Sequence, residues 1–330
     1  MTATADWLQA RWYGGRKPGF LLRALAWCYG VAVCLRRIAY RRGWLRMHRV
    51  GVPVIVVGNI TVGGSGKTPL VIALVEHLRA HGWKPGVVSR GYGRRSRGQA
   101  VVDGHTSPEQ GGDEPVLIAR RCKVPVVVDA DRVAAARRVV ALGCDIVIAD
   151  DGLQHHRLHR DVEIEVIDGA RRHGNAMLLP AGPMREPIDR ASECDFHCVN
   201  GDGARAGEHA FRLRGDTLVG NDGRMCALTA LSGRRVHAMA GIGNPQRFFG
   251  SLRTAGLELI EHPFSDHHPY RPQDLDFNDT MPIVMTEKDW VKCSAFAPAN
   301  CWMLPVHAEP DGMFLEALLR RLPSPAGSQR

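Results

Sequence analysis

Cysteine pairs at metal-binding or redox spacing are missing from this 330-residue chain. Its nine cysteines form no C-x-x-C pair, and the cluster of Cys194, His197 and Cys198 has no partner pair at zinc spacing. These absences argue against a zinc protein and against a disulfide scaffold. We expect the cluster to lie on a buried strand and the thiols to be free, as is typical of a reducing cytoplasm.

Acidic residues are scarce in the first 50 positions, which hold ten arginines and lysines but a single acid, Asp6. The other 280 residues carry 33 basic and 33 acidic side chains, so the net charge of +9 arises entirely from the N-terminal segment. A protein that binds nucleic acid through its globular part needs basic residues spread over that part. We therefore expect no nucleic-acid partner, and no motif indicates an obligate protein partner.

The N-terminal segment also lacks an apolar run that could span a bilayer. Its uncharged stretch, Ala24–Leu35, has 12 residues, against the roughly 20 that a spanning helix needs. Dense arginines follow the stretch and no clear cleavage site appears, which does not suit a signal peptide. Trp27, Tyr29 and the basic flanks are typical of a helix lying in an anionic membrane surface. We predict that residues 1–50 form a membrane-associated basic amphipathic segment; a soluble basic helix packed on the domain and a nucleic-acid arm are the alternatives.

A phosphate-binding loop is the most informative feature that is present. In VPVIVVGNITVGGSGKT (52–68) an apolar strand enters a glycine-rich turn that ends in Gly66-Lys67-Thr68, and a helical pattern runs from Pro69 to about Ala80. Glycines let backbone N–H groups converge on phosphate oxygens, and the following helix points its positive dipole end at the same anion. Lys67 is expected to reach the β- and γ-phosphates, with Thr68 on Mg²⁺. The predicted nucleotide-binding residues are Thr61, Val62, Gly63, Gly64, Ser65, Gly66, Lys67 and Thr68.

Two positions of this loop depart from the usual pattern. The motif G-x-x-x-x-G-K-[ST] places a glycine where this chain has Thr61. Val62 stands where some dimeric P-loop ATPases carry a second lysine, which argues against that subgroup. The alternative is a glycine-rich turn that resembles the motif but binds no phosphate.

Strands alternating with helices predict an α/β fold. The pattern favours a mostly parallel, P-loop-like sheet with helices on both faces, a second, smaller α/β domain and the N-terminal amphipathic helix. We predict a kinase core over residues 51–200, a linker over 201–224 and the smaller domain over 225–330. Residues 95–115 are expected to form a long polar loop. Gly241 and Gly243 lack the third glycine of a dinucleotide fingerprint and predict a turn into a helix.

Two carboxylates end a strand next in line to the phosphate loop. The run Ile146–Ala149 is apolar and is followed by Asp150 and Asp151. Acids at strand ends beside a phosphate loop commonly hold Mg²⁺ directly or through water. We predict a magnesium site made by Thr68, Asp150 and Asp151, and the sequence does not distinguish which aspartate contacts the metal directly.

Other polar groups could serve catalysis or be ordinary surface. Asp113 and Glu114 lie in GDEP (112–115), and a phosphotransferase needs a group that orients or deprotonates its acceptor hydroxyl. Asp266-His267-His268 places an imidazole beside a carboxylate, which can tune its basicity. Arg185 and Glu186 follow a stiff Pro-Ala-Gly-Pro turn, from which the arginine could bind a phosphate or form a surface ion pair.

Taken together, the segments resemble a known family. GNITVGGSGKTP (58–69), SRGYGR (89–94), GDEP (112–115), DDGLQH (150–155), LLPAGPMREP (178–187), FSDHHPY (264–270) and TEKD (286–289) occur in the order found in tetraacyldisaccharide 4′-kinases. The resemblance runs from the N-terminal helix to about residue 305. Met184 stands where the family often has leucine, which should change little.

The resemblance implies transfer of the ATP γ-phosphoryl group to the 4′-hydroxyl of a lipid disaccharide 1-phosphate, giving lipid IV-A. It implies ATP and Mg²⁺ as cofactors and the cytoplasmic face of the bacterial inner membrane as the location. It also implies a catalytic dyad of Asp113 and His267, with His268 as the alternative imidazole, and Lys67 is the third predicted catalytic residue. Residues expected to contact substrate or phosphate are Arg90, Glu114, Arg185 and Glu186.

The rival hypothesis is a basic P-loop nucleotide switch or nucleic-acid-binding ATPase. A GTP-binding protein would carry N-K-x-D, which TEKD (286–289) only partly matches. We interpret Thr286 as a helix N-cap. Dependence on detergent or lipid distinguishes the hypotheses, because only the kinase of a membrane lipid should require it.

Overall fold

The computed structural model describes residues 3–325, with side chains from residue 7 onward; the predicted segments 1–50 and 225–330 extend beyond this range at residues 1–2 and 326–330. The helices are α1 (Ala3–Trp12), α2 (Phe20–Arg41), α3 (Lys67–Ala80), α4 (Pro108–Gly111), α5 (Asp113–Cys122), α6 (Arg132–Ala141), α7 (Pro245–Thr254), α8 (Glu287–Cys293) and α9 (Gly312–Arg321). Short 3₁₀ helices occupy Ile188–Glu193, Leu228–Leu231 and Pro272–Leu275. The strands are β1 (Val54–Gly58), β2 (Pro85–Ser89), β3 (Ala100–Val102), β4 (Val126–Val128), β5 (Ile146–Asp150), β6 (Val162–Asp168), β7 (Phe196–Asn200), β8 (His209–Arg214), β9 (Thr217–Gly220), β10 (Met225–Ala227), β11 (Arg235–Ala240), β12 (Glu258–Pro263), β13 (Ile283–Thr286), β14 (Cys301–Leu304) and β15 (His307–Pro310).

The larger sheet of the described chain has nine strands in the order β15-β8-β7-β6-β1-β5-β2-β4-β3. Strands β8 to β4 of this order are parallel to their neighbours, whereas the edge strands β15 and β3 pair antiparallel. The central strand β1 is buried throughout, as a parallel strand covered on both faces should be. The predicted α/β class and mostly parallel sheet are confirmed.

Helices cover both faces of this sheet. On one face Leu70 and Leu74 of α3 pack with α5 and with Phe314 of α9. On the other face Val133 and Val139 of α6 pack under β1 and β5. The ends of the central parallel strands, where the phosphate loop and Asp150 lie, therefore form one edge between two layers of helix, the usual place for a ligand in such sheets.

A smaller sheet of six strands in the described residues has the order β10-β9-β14-β13-β11-β12. The chain enters it between β8 and β9 and leaves it between β14 and β15. The two crossings touch, because a Cβ on Gly215 would lie 2.6 Å from the carbonyl oxygen of Pro305. Helix α7 packs on one face of the sheet and α8 on the other.

The predicted linker and C-terminal boundary differ from the structure. The 201–224 segment contains β8 of the larger sheet and β9 of the smaller one. Residues 307–321 return to the larger sheet as β15 and α9, with Phe314 buried in its core. Sequence periodicity shows each strand but not which sheet it joins, because edge pairing is non-local. The predicted loop at 95–115 likewise contains β3, α4 and the start of α5.

Helix α2 lies against the larger domain through one face. Ala26, Val33 and Arg37 are its buried residues, and the hydroxyl of Tyr29 donates to the carbonyl of Arg185 at 2.7 Å. Arg37 also pairs with Glu193 at 2.5 Å. Within residues 3–325, no helix combines the length and the apolarity needed to cross a membrane.

Candidate active site

The phosphate loop connects β1 to α3 as the sequence predicts. Gly63 and Gly66 adopt φ values of 108° and 93°, which L side chains rarely adopt. A Cβ on Gly66 would also lie 2.2 Å from the amide nitrogen of Asn200. Asn200 instead donates to the carbonyl of Ser65 at 3.0 Å. Glycine is therefore required twice at position 66, for its conformation and for the close approach of Asn200.

The first two predicted nucleotide-binding residues contact a neighbouring turn. Thr61 forms a β-bridge with Met184, and the N–H of Val62 donates to the carbonyl of Pro183 at 2.8 Å. The N–H of Arg185 donates in turn to the carbonyl of Ile60. These bonds tie the 178–187 turn to the phosphate loop and bring Arg185 into the site.

Lys67, Arg185 and Asp151 form a charged cluster at the end of β5. Arg185 Nη1 lies 2.9 Å from Asp151 Oδ2, and Lys67 Nζ lies 3.6 Å from Asp151 Oδ1 and 3.3 Å from Asn59 Oδ1. Burial opposes ionisation here, but the charges of Lys67 and Arg185 lower the pKa of Asp151 to about 2. The carboxylate is therefore ionised and holds both cations at the mouth of the loop.

Asp150 is fully buried beside this cluster. Ser89 Oγ donates to its Oδ2 at 3.4 Å, while its Oδ1 has no hydrogen-bond partner within the described residues. Burial raises the pKa of Asp150, and the charges of Glu114 and Asp151 add to the effect. A buried carboxylate oxygen without a donor fits a metal ligand, and carboxylates with a hydroxyl are the hard oxygen donors that Mg²⁺ takes. Thr68, in the first turn of α3, supplies the hydroxyl of the predicted set.

The predicted dyad is assembled across the two domains. His267 Nδ1 lies 2.9 Å from Asp113 Oδ2 and 3.1 Å from Asp113 Oδ1. His268 instead contacts Asp274 at 3.2 Å, so the structure places His267, rather than His268, beside Asp113. Burial disfavours the Asp113 carboxylate, yet the hydrogen bond with His267 and the charge of Lys288 lower its pKa to about 2.

Two of these side chains stand on unusual backbone. Asp151 and His267 have φ values of 49° and 60°, in the left-handed region that non-glycine residues seldom occupy. Such conformations cost free energy and persist where surrounding structure enforces them, often at functional sites. One strained residue, Asp151, belongs to the predicted magnesium site, and the other, His267, belongs to the predicted dyad.

The four predicted substrate residues have different environments. Arg90 is exposed at the end of β2, and Glu114 pairs with Lys288 Nζ at 2.9 Å. Glu186 is fully buried, with Arg190 Nε at 3.4 Å and His156 Nε2 at 3.3 Å. Asp113 is not ordinary surface, which was the alternative to a catalytic role, because it is buried at the N-terminus of α5.

A turn of the smaller domain lies on the phosphate loop. A Cβ on Gly243 would lie 2.2 Å from the backbone nitrogen of Gly64. Arg171 Nη1 donates to the carbonyl of Gly243 at 2.8 Å. Asp168 at the end of β6 accepts from Asn244 and pairs with Arg247 at 2.7 Å. The predicted turn into a helix at 241–245 thus positions the smaller domain over the nucleotide loop.

Sequence reasoning missed several site residues. Arg132 is buried beside Asp150 and Asp151, whose charges act on it, and its Nη1 donates to the carbonyl of Asp129. Lys288 contacts both dyad residues and lies in the TEKD segment, where Thr286 caps α8 as predicted. The sequence did contain a signal for Lys288, because it is the one basic residue of the TEKD motif. Arg132 gave none, because it begins an ordinary helix.

Comparison with known proteins identifies the family of this chain. Residues 19–323 match the family described as tetraacyldisaccharide-1-P 4′-kinase, LpxK. Tetraacyldisaccharide 4′-kinases of Xanthomonas euvesicatoria and Stenotrophomonas maltophilia are each 52% identical, over 96% and 94% of this chain and 96% and 95% of theirs. A crystal structure of LpxK from Aquifex aeolicus in complex with ATP superposes with a TM-score of 0.75 at 29% identity, covering 91% of this chain and 98% of that one. This chain is a member of the tetraacyldisaccharide 4′-kinase family.

Proposed function

We propose that this kinase transfers the γ-phosphoryl group of ATP to the 4′-hydroxyl of a tetraacyldisaccharide 1-phosphate, with Asp113 as the group that takes the hydroxyl proton. The carrying observation is the contact of 2.9 Å between His267 and Asp113, across the two domains. Glu114, the neighbour of Asp113, lies close enough to Asp150 for its charge to raise the pKa of Asp150. The dyad therefore adjoins the end of β5, where Lys67 and Asp151 meet.

Charge neutralisation is the task of the phosphate loop. Lys67 is held by Asn59 and Asp151, so its ammonium is fixed at the mouth of the loop. Thr68, Asp150 and Asp151 are the residues that would hold Mg²⁺, which supplies charge stabilisation on the phosphate oxygens when bound. Phosphoryl transfer needs chiefly positioning and such stabilisation.

Proton removal is the task of the dyad. As the acceptor oxygen bonds to the γ-phosphorus and the bond from that phosphorus to the ADP oxygen breaks, the hydroxyl proton passes to the Asp113 carboxylate. His267 Nδ1–H donates to the same carboxylate and fixes its orientation. Because the pKa of Asp113 is about 2 in this environment, the base is ionised at neutral pH.

Acceptor binding involves the predicted polar residues near Asp151. Arg185 pairs with Asp151 at 2.9 Å and lies on the turn joined to α2, so it can contact both the phosphate site and the lipid headgroup. We include Arg90, Glu114 and Glu186 in this acceptor site. Glu186 would act by holding His156 and Arg190 in place, since its own side chain is fully buried.

The outer face of α2 is proposed as the membrane-binding surface. Opposite its buried residues it exposes large apolar side chains at Phe20, Leu21, Trp27 and Leu35, which are 61% to 88% exposed. Basic residues flank this face on both sides, as suits an anionic surface. The contact of Tyr29 with the carbonyl of Arg185 places the same helix beside the acceptor site. We accordingly propose a peripheral or monotopic location at the cytoplasmic face of the inner membrane.

Vesicle flotation tests the membrane surface. Replacing Phe20, Leu21, Trp27 and Leu35 with serine should release the protein from anionic phospholipid vesicles, with little change in activity on detergent-dispersed substrate. The matched control replaces Met225 and Met313, which are 69% and 70% exposed on other elements, and should float like the wild type. Equal flotation of all three proteins would contradict the assignment of α2.

The reaction itself is tested with purified full-length protein, ATP and Mg²⁺. Tetraacyldisaccharide 1-phosphate in detergent micelles should gain one phosphate at the 4′-position, as located by tandem mass spectrometry. ATP hydrolysis without a phosphorylated lipid, or phosphate found at another position, would contradict the proposed reaction.

A further inference from the structure

Lys288 occupies a position that helix stability alone does not favour. It lies in the first turn of α8, where the positive end of the helix dipole disfavours a cation. Its side chain is only 14% exposed. Burial lowers the pKa of a lysine, but the surrounding carboxylates more than reverse this and raise the pKa of Lys288. A buried ammonium at a helix N-terminus therefore depends on the acids around it.

Those acids belong to the dyad and its neighbours. Lys288 Nζ lies 2.9 Å from Glu114 Oε1 and 3.0 Å from Asp266 Oδ1. It also lies 3.9 Å from Asp113 Oδ2 and 3.4 Å from His267 Nε2. The ammonium thus touches the residue after Asp113 and the residue before His267, and it reaches both dyad members. It joins α5 of the larger domain to the 264–270 loop of the smaller one.

The contact with His267 carries chemical information. An ammonium group can only donate hydrogen bonds, so a ring nitrogen that faces it must present a lone pair. Nε2 of His267 lies 3.4 Å from Lys288 Nζ and 3.7 Å from Asp266 Oδ1, a carboxylate oxygen that the same ammonium contacts, and Nδ1 faces the Asp113 carboxylate. The neutral ring then carries its single proton on Nδ1 and donates it to Asp113.

We propose that Lys288 is a positioning residue for phosphoryl transfer: it fixes His267 as the neutral Nδ1–H tautomer that donates to Asp113, and it holds this pair together across the domain interface. This inference rests on the proposed role of the Asp113–His267 dyad. Without the ammonium, His267 would face carboxylates on both sides and take up a second proton more readily. Asp113 would also lose a neighbouring cation and protonate at higher pH.

The electrostatic surroundings agree with this direction. Burial lowers the pKa of His267, the hydrogen bond with Asp113 raises it, and the charge of Lys288 lowers it; the net effect is a raised pKa, which removal of the ammonium should raise further. The charge of Lys288 also lowers the pKa of Asp113. Titratable and charged groups from each neighbouring element surround the dyad and Lys288. Glu114 on α5 and Asp266 in the 264–270 loop contact the ammonium, and Tyr92 packs against the His267 ring. On α8, Lys292 faces Asp113 and pairs with Asp289.

A second ion pair between the same helices separates this role from simple docking. Arg121 Nη1 pairs with Glu287 Oε2 at 2.9 Å, so α5 and α8 remain connected when Lys288 is changed. A residue that only docked the domains would scale activity equally at every pH. A residue that sets the protonation of the dyad changes the shape of the pH profile.

The test measures kcat against pH for Lys288→Met, which keeps the chain length and removes the charge. Between about pH 6 and about pH 9, the acid limb of the profile, which reports protonation of His267, should move up by about one pH unit in Lys288→Met. Its kcat should be about tenfold lower than that of the wild type at the acid end and nearly equal to it at the alkaline end. Lys288→Arg retains the charge and should keep the wild-type profile. Lys84→Met removes an exposed lysine that makes no ion pair in the described part of the chain and is the control.

Side-chain ¹⁵N NMR of histidine-labelled protein provides a readout without catalysis. The resonance lost in His267→Gln should show the Nδ1–H tautomer in the wild type and a second protonation at higher pH in Lys288→Met. If Lys288→Met does not fold, Lys288→Gln replaces it in both measurements. An unchanged pH profile, or the same shift in Lys288→Arg, would overturn the inference. Asp113→Ala is assayed in parallel, because full activity there would contradict the dyad itself.

Discussion

His267 Nδ1 lies 2.9 Å from Asp113 Oδ2, although the two residues are 154 positions apart and belong to different domains. Three neighbouring contacts hold them in this position: Arg121 with Glu287, Lys288 with Glu114, and Gly243 against the phosphate loop. The dyad therefore exists only when the smaller domain is docked. We therefore expect any motion that separates the two domains to disassemble the proposed base, as in enzymes whose lids complete the site.

Lys67→Ala should abolish phosphoryl transfer and leave the fold intact. The ammonium neutralises charge on the transferring group, and loss of such a contribution costs on the order of 10²–10³ in kcat. Steady-state ADP release with lipid substrate measures the loss, and the thermal unfolding midpoint serves as the control for folding. If this variant turned over at the wild-type rate, residues 61–68 would not be the catalytic phosphate-binding loop.

Asp150→Asn should abolish Mg²⁺-dependent activity and stabilise the ligand-free protein at neutral pH. Burial raises the pKa of Asp150, so the folded state binds this proton more tightly than the unfolded chain, whose carboxyl has a pKa of about 3.9. Wild-type stability relative to the variant should therefore fall as pH rises above about 4. Thermal unfolding of both proteins from about pH 4 upward tests this prediction. If the difference in unfolding midpoint between the variant and the wild type became smaller as the pH rises, the prediction would be contradicted.

Gly243→Ala should impair catalysis through domain docking. Its Cβ would lie 2.2 Å from the Gly64 nitrogen, and backbone cannot move aside as a flexible side chain can. Displacement of the turn by about 1 Å could lower kcat/KM for ATP by about 10²-fold. Gly250→Ala in α7 is the matched control, because its Cβ would meet nothing within 4 Å. That variant should stay active and gain up to about 1 kcal/mol of stability, and equal activity in both variants would show that the turn does not act on the nucleotide loop.

Local features of the site could be predicted from the sequence because they depend on short segments. The phosphate loop, the acids at the end of β5 and the N-cap at Thr286 are each formed by residues that are close together in the sequence. Asn200, Arg132 and Lys288 could not be placed, because each acts through a contact between distant strands or domains. The return of residues 307–321 to the larger sheet escaped prediction for the same reason: an edge strand and a terminal helix carry the same pattern in either domain.

The double-mutant cycle of Asp113 and His267 tests the central claim most directly. Asp113→Ala and His267→Ala should each lower kcat strongly with little change in KM for ATP, and the double variant should lose little more than the worse single variant, because residues that act as a unit are non-additive. His268→Ala, which removes the contact with Asp274 and the packing on Phe264 and Tyr270 but no contact with Asp113, should remain active. Multiplicative losses in the double variant, or loss in His268→Ala with full activity in His267→Ala, would contradict the account.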